Sequence, residues 1–315
     1  MIEVDQLTKQ YGLTTVVDNI SFNVKKGEIL GFLGPNGAGK STTMRMLSCF
    51  FAPTSGTARI CGHDILSDSI RVREKIGYLP ESAPSYQNMT VLEFLNFVAS
   101  IRGFGARERD DKIDSIIQTT SLEKVKYQTI ETLSKGFKQR VGFAQALIHD
   151  PPVLILDEPT DGLDPNQKRE VRALIQKMSK EKAIILSTHI LEEMEAVCTR
   201  AIIINQGKIV ANGSPSELLT QSSLHNVVTA ILDTKPDQAI IKTLERLDAV
   251  HRVELEKQTA DDATYKLNVY PEKNANPLDA VNQLLRQEKV NVSEIYREKG
   301  LMDEVFWNLT LGTKD

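Results

Sequence analysis

The chain has 315 residues, which gives room for about two domains and for a core that needs no disulfide. Its formal net charge is −4 at pH 7 and its pI is about 5.9, so no overall positive field attracts nucleic acid or anionic lipid. The cysteines show no disulfide or zinc-ligand spacing, the N-terminus has no signal-peptide pattern, and no stretch approaches the ~18 consecutive apolar residues of a membrane-spanning helix.

The first two-thirds of the chain have the pattern of an α/β domain. The segments 2–7 and 15–24 alternate apolar and polar residues, which predicts a small antiparallel sheet. Four later runs are continuously apolar, as expected for parallel strands buried on both faces: IGYL at 76–79, VLIL at 153–156, AIIL at 183–186 and AIII at 201–204. Helical patterns lie between these runs, and strands that alternate with helices indicate an α/β fold.

Two further regions depart from this pattern. Residues 90–130 are mostly helical, so we expect a helical insertion over about 85–150, with the charged run at 107–118 as a solvated face. From 222 to 315 the predicted order is strand, helix, strand, strand, helix, strand, which is that of a small α+β ferredoxin-like domain. A last amphipathic helix follows it. No catalytic constellation occurs in this second region, and we interpret it as an accessory domain for packing or dimer formation.

The segment GPNGAGKS at 34–41 has the spacing of a phosphate-binding loop, between a predicted strand and a predicted helix. Its glycines let the backbone wrap around phosphates, and the following helix contributes its positive N-terminal end. Lys40 would bind the β- and γ-phosphates, and the Ser41 hydroxyl would bind Mg²⁺. The expected ATP-binding residues here are Gly34, Pro35, Asn36, Gly37, Ala38, Gly39, Lys40, Ser41 and Thr42.

Two acidic residues end the buried run VLILDE at 153–158. The carboxyl end of a central strand is where α/β sheets place their ligands. Asp157 would hold Mg²⁺, and Glu158 would act as the base that polarises the attacking water.

A second polar helix start occurs in LSKGFKQR at 133–140. Ser134 is a good N-cap, and Ser134, Lys135 and Gly136 together also suit an anion at the helix N-terminus. The chain therefore has two phosphate-type sites but one complete set of metal ligands and base.

The order GPNGAGKST, LSKGFKQR, LILDEPTDGLD and LSTHI over residues 1–220 resembles the ATP-binding subunits of ABC transporters. The resemblance implies an ABC-type P-loop domain over 1–221 that uses ATP and Mg²⁺. Tyr11 would stack on adenine, and His189 would contact the γ-phosphate and the attacking water. Ser134 and Gly136 would clasp the γ-phosphate bound to the opposite subunit of a homodimer, and Asp164 would couple the two shared sites.

Two positions depart from the usual pattern of that family. Glu81 stands where glutamine is common; it can still bind the metal, but it adds negative charge beside Asp157 and Glu158. LSKGFKQR replaces the commoner LSGGQQQR, so Lys135 brings a cation near the neighbouring nucleotide. These variants and the ending LMDEVFWNLT resemble a bacterial exporter branch with separately encoded permeases, and within it the gliding-motility-like and nitrous-oxide-maturation-like transporters.

Our leading hypothesis is an ATP-hydrolysing exporter subunit on the cytoplasmic face of the inner membrane, held there by a permease that contacts residues 81–96. One alternative is an ABC ATPase that acts on nucleic acid or ribosomes, but the chain has no heptads between its motifs and no second phosphate loop. Another is a nucleotide-regulated module without turnover, which the presence of Glu158 and His189 disfavours. The transported substrate stays open, because selectivity would lie in the permease.

Overall fold

A computed structural model describes residues 1–82, 85–257, 264–272 and 275–312. The chain folds as two compact units: Met1–Pro215 with the residues from Leu309 onward, and Ser216–Asn308. Three residues of predicted features lie outside the described ones, namely Ala83 and Pro84 in the expected permease contact and Ala263 at the start of a predicted strand.

The first unit contains ten of the strands that the structure describes and seven of its helices. The strands are β1 (Ile2–Tyr11), β2 (Thr14–Val24), β3 (Ile29–Leu33), β4 (Ser55–Ile60), β5 (His63–Asp64), β6 (Ile76–Leu79), β7 (Val153–Asp157), β8 (Ala183–Thr188), β9 (Arg200–Asn205) and β10 (Lys208–Gly213). The helices are α1 (Lys40–Leu47), α2 (Ser69–Lys75), α3 (Val91–Ile101), α4 (Ala106–Thr119), α5 (Lys135–Leu147), α6 (Pro165–Ser179) and α7 (Leu191–Val197).

The central sheet of this unit has the strand order β10-β9-β3-β8-β7-β6. Strands β9, β3, β8, β7 and β6 are parallel, and β10 pairs antiparallel at the edge. All residues of β3, β7 and β8 are buried, which explains why these strands are apolar up to Asp157 in β7 and Ser187 in β8. The four predicted parallel strands are confirmed, and the carboxyl ends of β3, β8 and β7 lie side by side.

A second sheet, of order β2-β1-β4-β5, is antiparallel. Its apolar face and the central sheet share one core, in which the rings of Phe22 and Phe32 lie 5.5 Å apart. Helices α3, α4 and α5 occupy the segment for which helices were predicted. Helix α3 begins with a capping box, because Thr90 Oγ1 accepts from the Glu93 amide and Glu93 Oε2 accepts from the Thr90 amide.

Between a short first helix and a last helix, the second unit has the element order strand, helix, strand, strand, helix, strand. The elements are α8 (Pro215–Leu219) at the boundary in the chain, β11 (Val228–Leu232), α9 (Gln238–Leu244), β12 (Val250–Lys257), β13 (Tyr265–Pro271), α10 (Leu278–Gln287), β14 (Val292–Arg297) and α11 (Met302–Leu311), which begins in this unit. Its strands form an antiparallel sheet of order β12-β13-β11-β14. Leu244 of α9 and Val281 and Leu285 of α10 pack on the buried face of that sheet. Within the part of the chain that is described, no helix is long and apolar enough to cross a bilayer.

The central sheet makes a testable prediction about stability. Ile155 in β7 has 0% of its surface exposed and Leu13 in the β1–β2 turn has 100%. We expect Ile155→Ala to lower the free energy of unfolding by about 2–5 kcal/mol, because it leaves a cavity in a closely packed core. Leu13→Ala is the matched control, and its effect stays within about 0.5 kcal/mol. Urea unfolding followed by circular dichroism measures both, and equal midpoints would contradict this description of the core.

Candidate functional site

The phosphate loop runs from the end of β3 to the start of α1. Gly39 has φ +107° at the N-cap of α1, and no side chain caps that helix start, so its first amides have no side-chain competitor for an anion. Gly34 is required for a different reason: a Cβ there would lie 2.4 Å from the Ile204 carbonyl oxygen. Gly39 is thus required by its backbone conformation, and Gly34 is required because a side chain has no space there.

Lys40 is a buried cation at the first position of α1. Its Nζ donates to the carbonyl oxygens of Gly34 at 2.7 Å and of Pro35 at 3.3 Å. Burial lowers the pKa of Lys40 below its ordinary value, while the carboxylates of Glu158, Asp157 and Glu81 act in the opposite direction. The loop's own carbonyls therefore hold an ammonium group that the three acidic side chains help to keep charged.

Asp157 is a buried carboxylate at the end of β7. Ser41 Oγ donates to Asp157 Oδ1 at 3.2 Å, and Ser187 Oγ donates to the same oxygen. Ser187 also accepts the Glu158 amide at 3.1 Å. Ser187 therefore positions both acidic residues, a role that the sequence did not suggest. The register that pairs Asp157 with Ser187 between β7 and β8 is the signal that would have found it.

Glu158 and His189 form an acid–base pair. Glu158 Oε2 lies 3.0 Å from His189 Nδ1, with the glutamate side chain largely buried and the histidine exposed. Glu158 has φ +48°, a left-handed conformation that is uncommon outside glycine and often occurs at functional sites. A carboxylate held in this way by a histidine can accept a proton from water.

A cleft of about 350 Å³ brings these groups together. The residues that line it are Val16, Asn36, Gly37, Gly39, Lys40, Ser41, Thr42, Glu81, Glu158, Asp161 and His189. Asp161, like Ser187, is a member of the site that the sequence analysis missed.

Glu193 in α7 fixes the loops that follow β7 and β8. Its buried carboxylate accepts hydrogen bonds from Thr160 Oγ1 and Thr188 Oγ1 and lies 2.9 Å from Lys168 Nζ. Thr160 follows Glu158 by two residues and Thr188 precedes His189. This interaction therefore joins the two segments that carry Glu158 and His189. It was not predictable from sequence, because acidic residues are common in the first turn of a helix.

Several predicted ATP-binding residues do not line the cleft of their own chain. Tyr11 is exposed at the end of β1, with Lys9 Nζ 5.1 Å from its ring centroid. Ser134 caps α5 by accepting the Phe137 amide at 3.4 Å, and Asp164 caps α6 by accepting the Gln167 amide at 2.9 Å.

Lys135 and Gly136 follow at the start of α5. Lys135 Nζ lies 2.9 Å from Asp161 Oδ2, and a Cβ on Gly136 would meet the Gln167 side chain at 2.5 Å. Lys135 thus contacts the segment between β7 and α6 of the same chain, and Gly136 lies against Gln167 in the first turn of α6.

The oxygen atoms near the phosphate loop suit Mg²⁺, a hard cation that also keeps water and phosphate ligands. Ser41 and Glu81 line the cleft, and the buried Asp157 carboxylate accepts a hydrogen bond from Ser41. Among the described residues no group of three or more His, Cys, Asp or Glu side chains is placed to hold a metal. Mg²⁺ is bound in nucleotide sites by one or two protein groups together with phosphate oxygens and waters, so these residues are compatible with it.

Comparison with known proteins places the chain in a family. A family model described as ABC transporter matches residues 17–161. The chain is also 41% identical over 212 residues to the bacitracin transport ATP-binding protein BcrA of Bacillus licheniformis, an alignment that covers 67% of this chain and 68% of that protein. The chain belongs to the ABC transporter family. Its membership confirms the predicted P-loop α/β fold and the predicted ATP-binding and ATP-hydrolysing activity of an ABC cassette.

Two more comparisons describe proteins similar to this ABC cassette. It is 37% identical over 256 residues to the "Probable multidrug ABC transporter ATP-binding protein YbhF" of Escherichia coli K12, covering 80% of this chain but 43% of that protein. The chain thus spans less than half the length of that relative. A solved dimeric post-hydrolysis state of the cassette MJ0796, bound to ADP and Pi, aligns with TM-score 0.63 and 25% identity over 68% of this chain and 98% of the other.

The hydrogen bonds of Ser187 make a testable prediction. Ser187→Ala leaves the buried Asp157 carboxylate with one fewer donor and the Glu158 amide with one fewer acceptor. Because a hydrogen bond to a charged group contributes about 1.5–3 kcal/mol, we expect kcat for ATP hydrolysis to fall about tenfold or more, with ATP affinity little changed. Steady-state kinetics and nucleotide titration measure the two effects.

Ser48→Ala is the matched control for that variant. Ser48 is also a buried serine, but its hydroxyl donates to the Arg45 carbonyl oxygen at 3.1 Å, away from the carboxylates. An equal loss of activity in both variants would contradict the role of Ser187.

Proposed function

We propose that the chain is the ATP-hydrolysing subunit of an exporter that acts as a dimer on a membrane permease, at the cytoplasmic face of the inner membrane. The observation that carries the proposal is the Glu158–His189 pair, 3.0 Å apart, in one cleft with Lys40 and Ser41. The printed names of the bacitracin and multidrug relatives support export. Action on nucleic acid or ribosomes is not favoured by these relatives or by the net charge of −4.

Each group in the cleft has a distinct task in hydrolysis. Lys40 and the amides that start α1 bind the phosphates. Ser41, Asp157 and Glu81 would hold Mg²⁺, which would offset phosphate charge. Glu158 takes a proton from the attacking water. His189 orients the Glu158 carboxylate by its contact with Glu158 Oε2, and it also contacts the γ-phosphate. The extra charge of Glu81, where the family usually has glutamine, tunes the response to Mg²⁺.

Two copies of the chain would share each ATP. Ser134, Lys135 and Gly136 start α5, a helix of 13 residues, and lie outside the lining of their own chain's cleft, so they are available to the nucleotide of a second copy. A two-fold interface presents the same residues twice, which gives two equivalent composite sites. The dimeric state of the similar cassette supports this arrangement. Asp164 would couple the sites, and exposed Tyr11 would stack on adenine.

The C-terminal region, 222–315, is proposed to be a ferredoxin-like accessory domain that assists dimer formation. The sheet order β12-β13-β11-β14 with α9 and α10 on one face supports this assignment.

The narrower resemblance to gliding-motility-like and nitrous-oxide-maturation-like exporters is also part of the proposal and rests on Glu81 and Lys135.

An apolar groove of about 840 Å³ in the first unit is a suitable permease contact. It is lined by Ile70, Arg73, Glu74, Ser85, Tyr86, Phe94, Phe97, Val98, Ile101, Arg102 and Gln145. Tyr86 packs edge-on against Phe97 at 5.1 Å, and Ile101 is 69% exposed. An exposed apolar groove of this kind fits the apolar face of a partner helix. Tyr86 follows Glu81 by five residues in the chain, so the cleft and the groove share one connecting segment.

The groove provides the test of the exporter proposal. We expect Ile101→Glu to abolish copurification of a membrane-spanning permease from detergent-solubilised native membranes, because it places a charge in the apolar contact. ATP hydrolysis by the isolated chain should not change. Val210→Glu, a similar change at an exposed valine of β10, is the control and keeps the permease. Recovery of ribosomes or nucleic acid in place of a permease, or retention of the permease by Ile101→Glu, would contradict the proposal.

A further inference from the structure

Lys135 and Asp161 form an ion pair between two functional segments of one chain. Lys135 is the first residue of α5, and its Nζ lies 2.9 Å from Asp161 Oδ2. Asp161 follows Glu158 by three residues and lines the nucleotide cleft. The pair therefore connects the segment proposed to face the partner's ATP with the cleft that holds the chain's own ATP.

Gly162 leaves room for the same side chain. Gly162, with φ +62°, lies directly beneath Lys135: a Cβ at this position would be 1.9 Å from Nζ and 2.7 Å from Cε. A side chain at this position would displace the flexible end of Lys135 from the place where it meets Asp161. The placement of Lys135 over this turn thus depends on a steric fit as well as on charge.

The energetics of the pair suit an exchangeable contact. The hydrogen bond from Lys135 holds the pKa of the Asp161 carboxyl below its usual value, so the carboxylate is charged at neutral pH. The two side chains are 60% and 46% exposed, and ion pairs with this exposure contribute little to stability. A stronger anion can therefore displace Asp161 from Lys135 at small cost.

We propose that Asp161 is a positioning residue that competes with the γ-phosphate of the partner's ATP for the Lys135 ammonium group. The inference rests on the composite site proposed above. When two chains close on ATP, Lys135 leaves Asp161 for the phosphate, which carries more charge. The Asp161 carboxylate then keeps Lys168 as a cationic neighbour, and His189 also lies near it. The ion pair raises the ATP concentration that closure requires, and ADP, without a γ-phosphate, does not cause the exchange.

Dimerisation of the Glu158→Gln chain, which should bind ATP without turnover, measures this competition. We expect Asp161→Asn to lower the ATP concentration for half-maximal dimerisation by about two- to five-fold, the range that an exposed ion pair contributes. Lys135→Gln should raise that concentration, and the double variant should behave like Lys135→Gln alone. Light scattering during an ATP titration, repeated with ADP, gives these values.

The control is Lys138→Gln, which makes the same charge change one turn further along α5. Lys138 Nζ donates to the Glu131 carbonyl oxygen at 2.9 Å and has no part in the ion pair. The ATP concentration that the Lys138→Gln variant needs for dimerisation should therefore not change. An effect of Asp161→Asn that persists in the Lys135→Gln background, or that raises the ATP requirement, would show that Asp161 acts only on its own cleft and would overturn the inference. A Glu158→Gln chain that stays monomeric with ATP would overturn the composite site and the inference together.

Discussion

The buried carboxylate of Asp157 is the point on which the site depends. It receives one hydrogen bond from Ser41, at the start of the helix after β3, and one from Ser187, near the end of β8. A charge in this position is tolerated because two hydroxyl groups donate to it, one from β8, which pairs with β7, and one from the helix that follows β3. The order β3-β8-β7 thus brings the phosphate loop, Asp157 as the proposed metal ligand and Glu158 as the proposed base to one edge.

Much of this edge was predictable from sequence because its determinants are local. The spacing of GPNGAGKS and the acidic residues after a buried run are visible in short windows, and they placed Lys40, Ser41, Asp157 and Glu158 correctly relative to the strands. The apolar runs predicted the parallel strands because full burial leaves a continuous apolar pattern. The short strands β4, β5 and β10 were not predicted, since their half-buried residues give weak patterns.

The remaining features depend on which segments meet in space. Ser187 lies in the segment LSTHI, but its role follows from the register of β7 and β8, which pairs it with Asp157. Glu193 lies in an ordinary acidic helix start, and only the packing of α7 brings it between Thr160 and Thr188. Lys135 was expected to act on a neighbouring nucleotide; in the structure it is paired with Asp161, 26 residues further along the chain. A pattern within a short stretch of sequence does not reveal a contact between residues that far apart in the chain.

The central claim is that each ATP is held by two copies of the chain. A mixture of two inactive variants tests it most directly: Lys40→Ala removes the phosphate-binding cation, and Ser134→Arg blocks the start of α5. Each variant alone has two defective sites in its dimer, whereas a mixed dimer has one site with both residues intact. We predict that the mixture hydrolyses ATP although neither variant does so alone. A mixture whose rate stays at the sum of the separate rates would contradict the shared site.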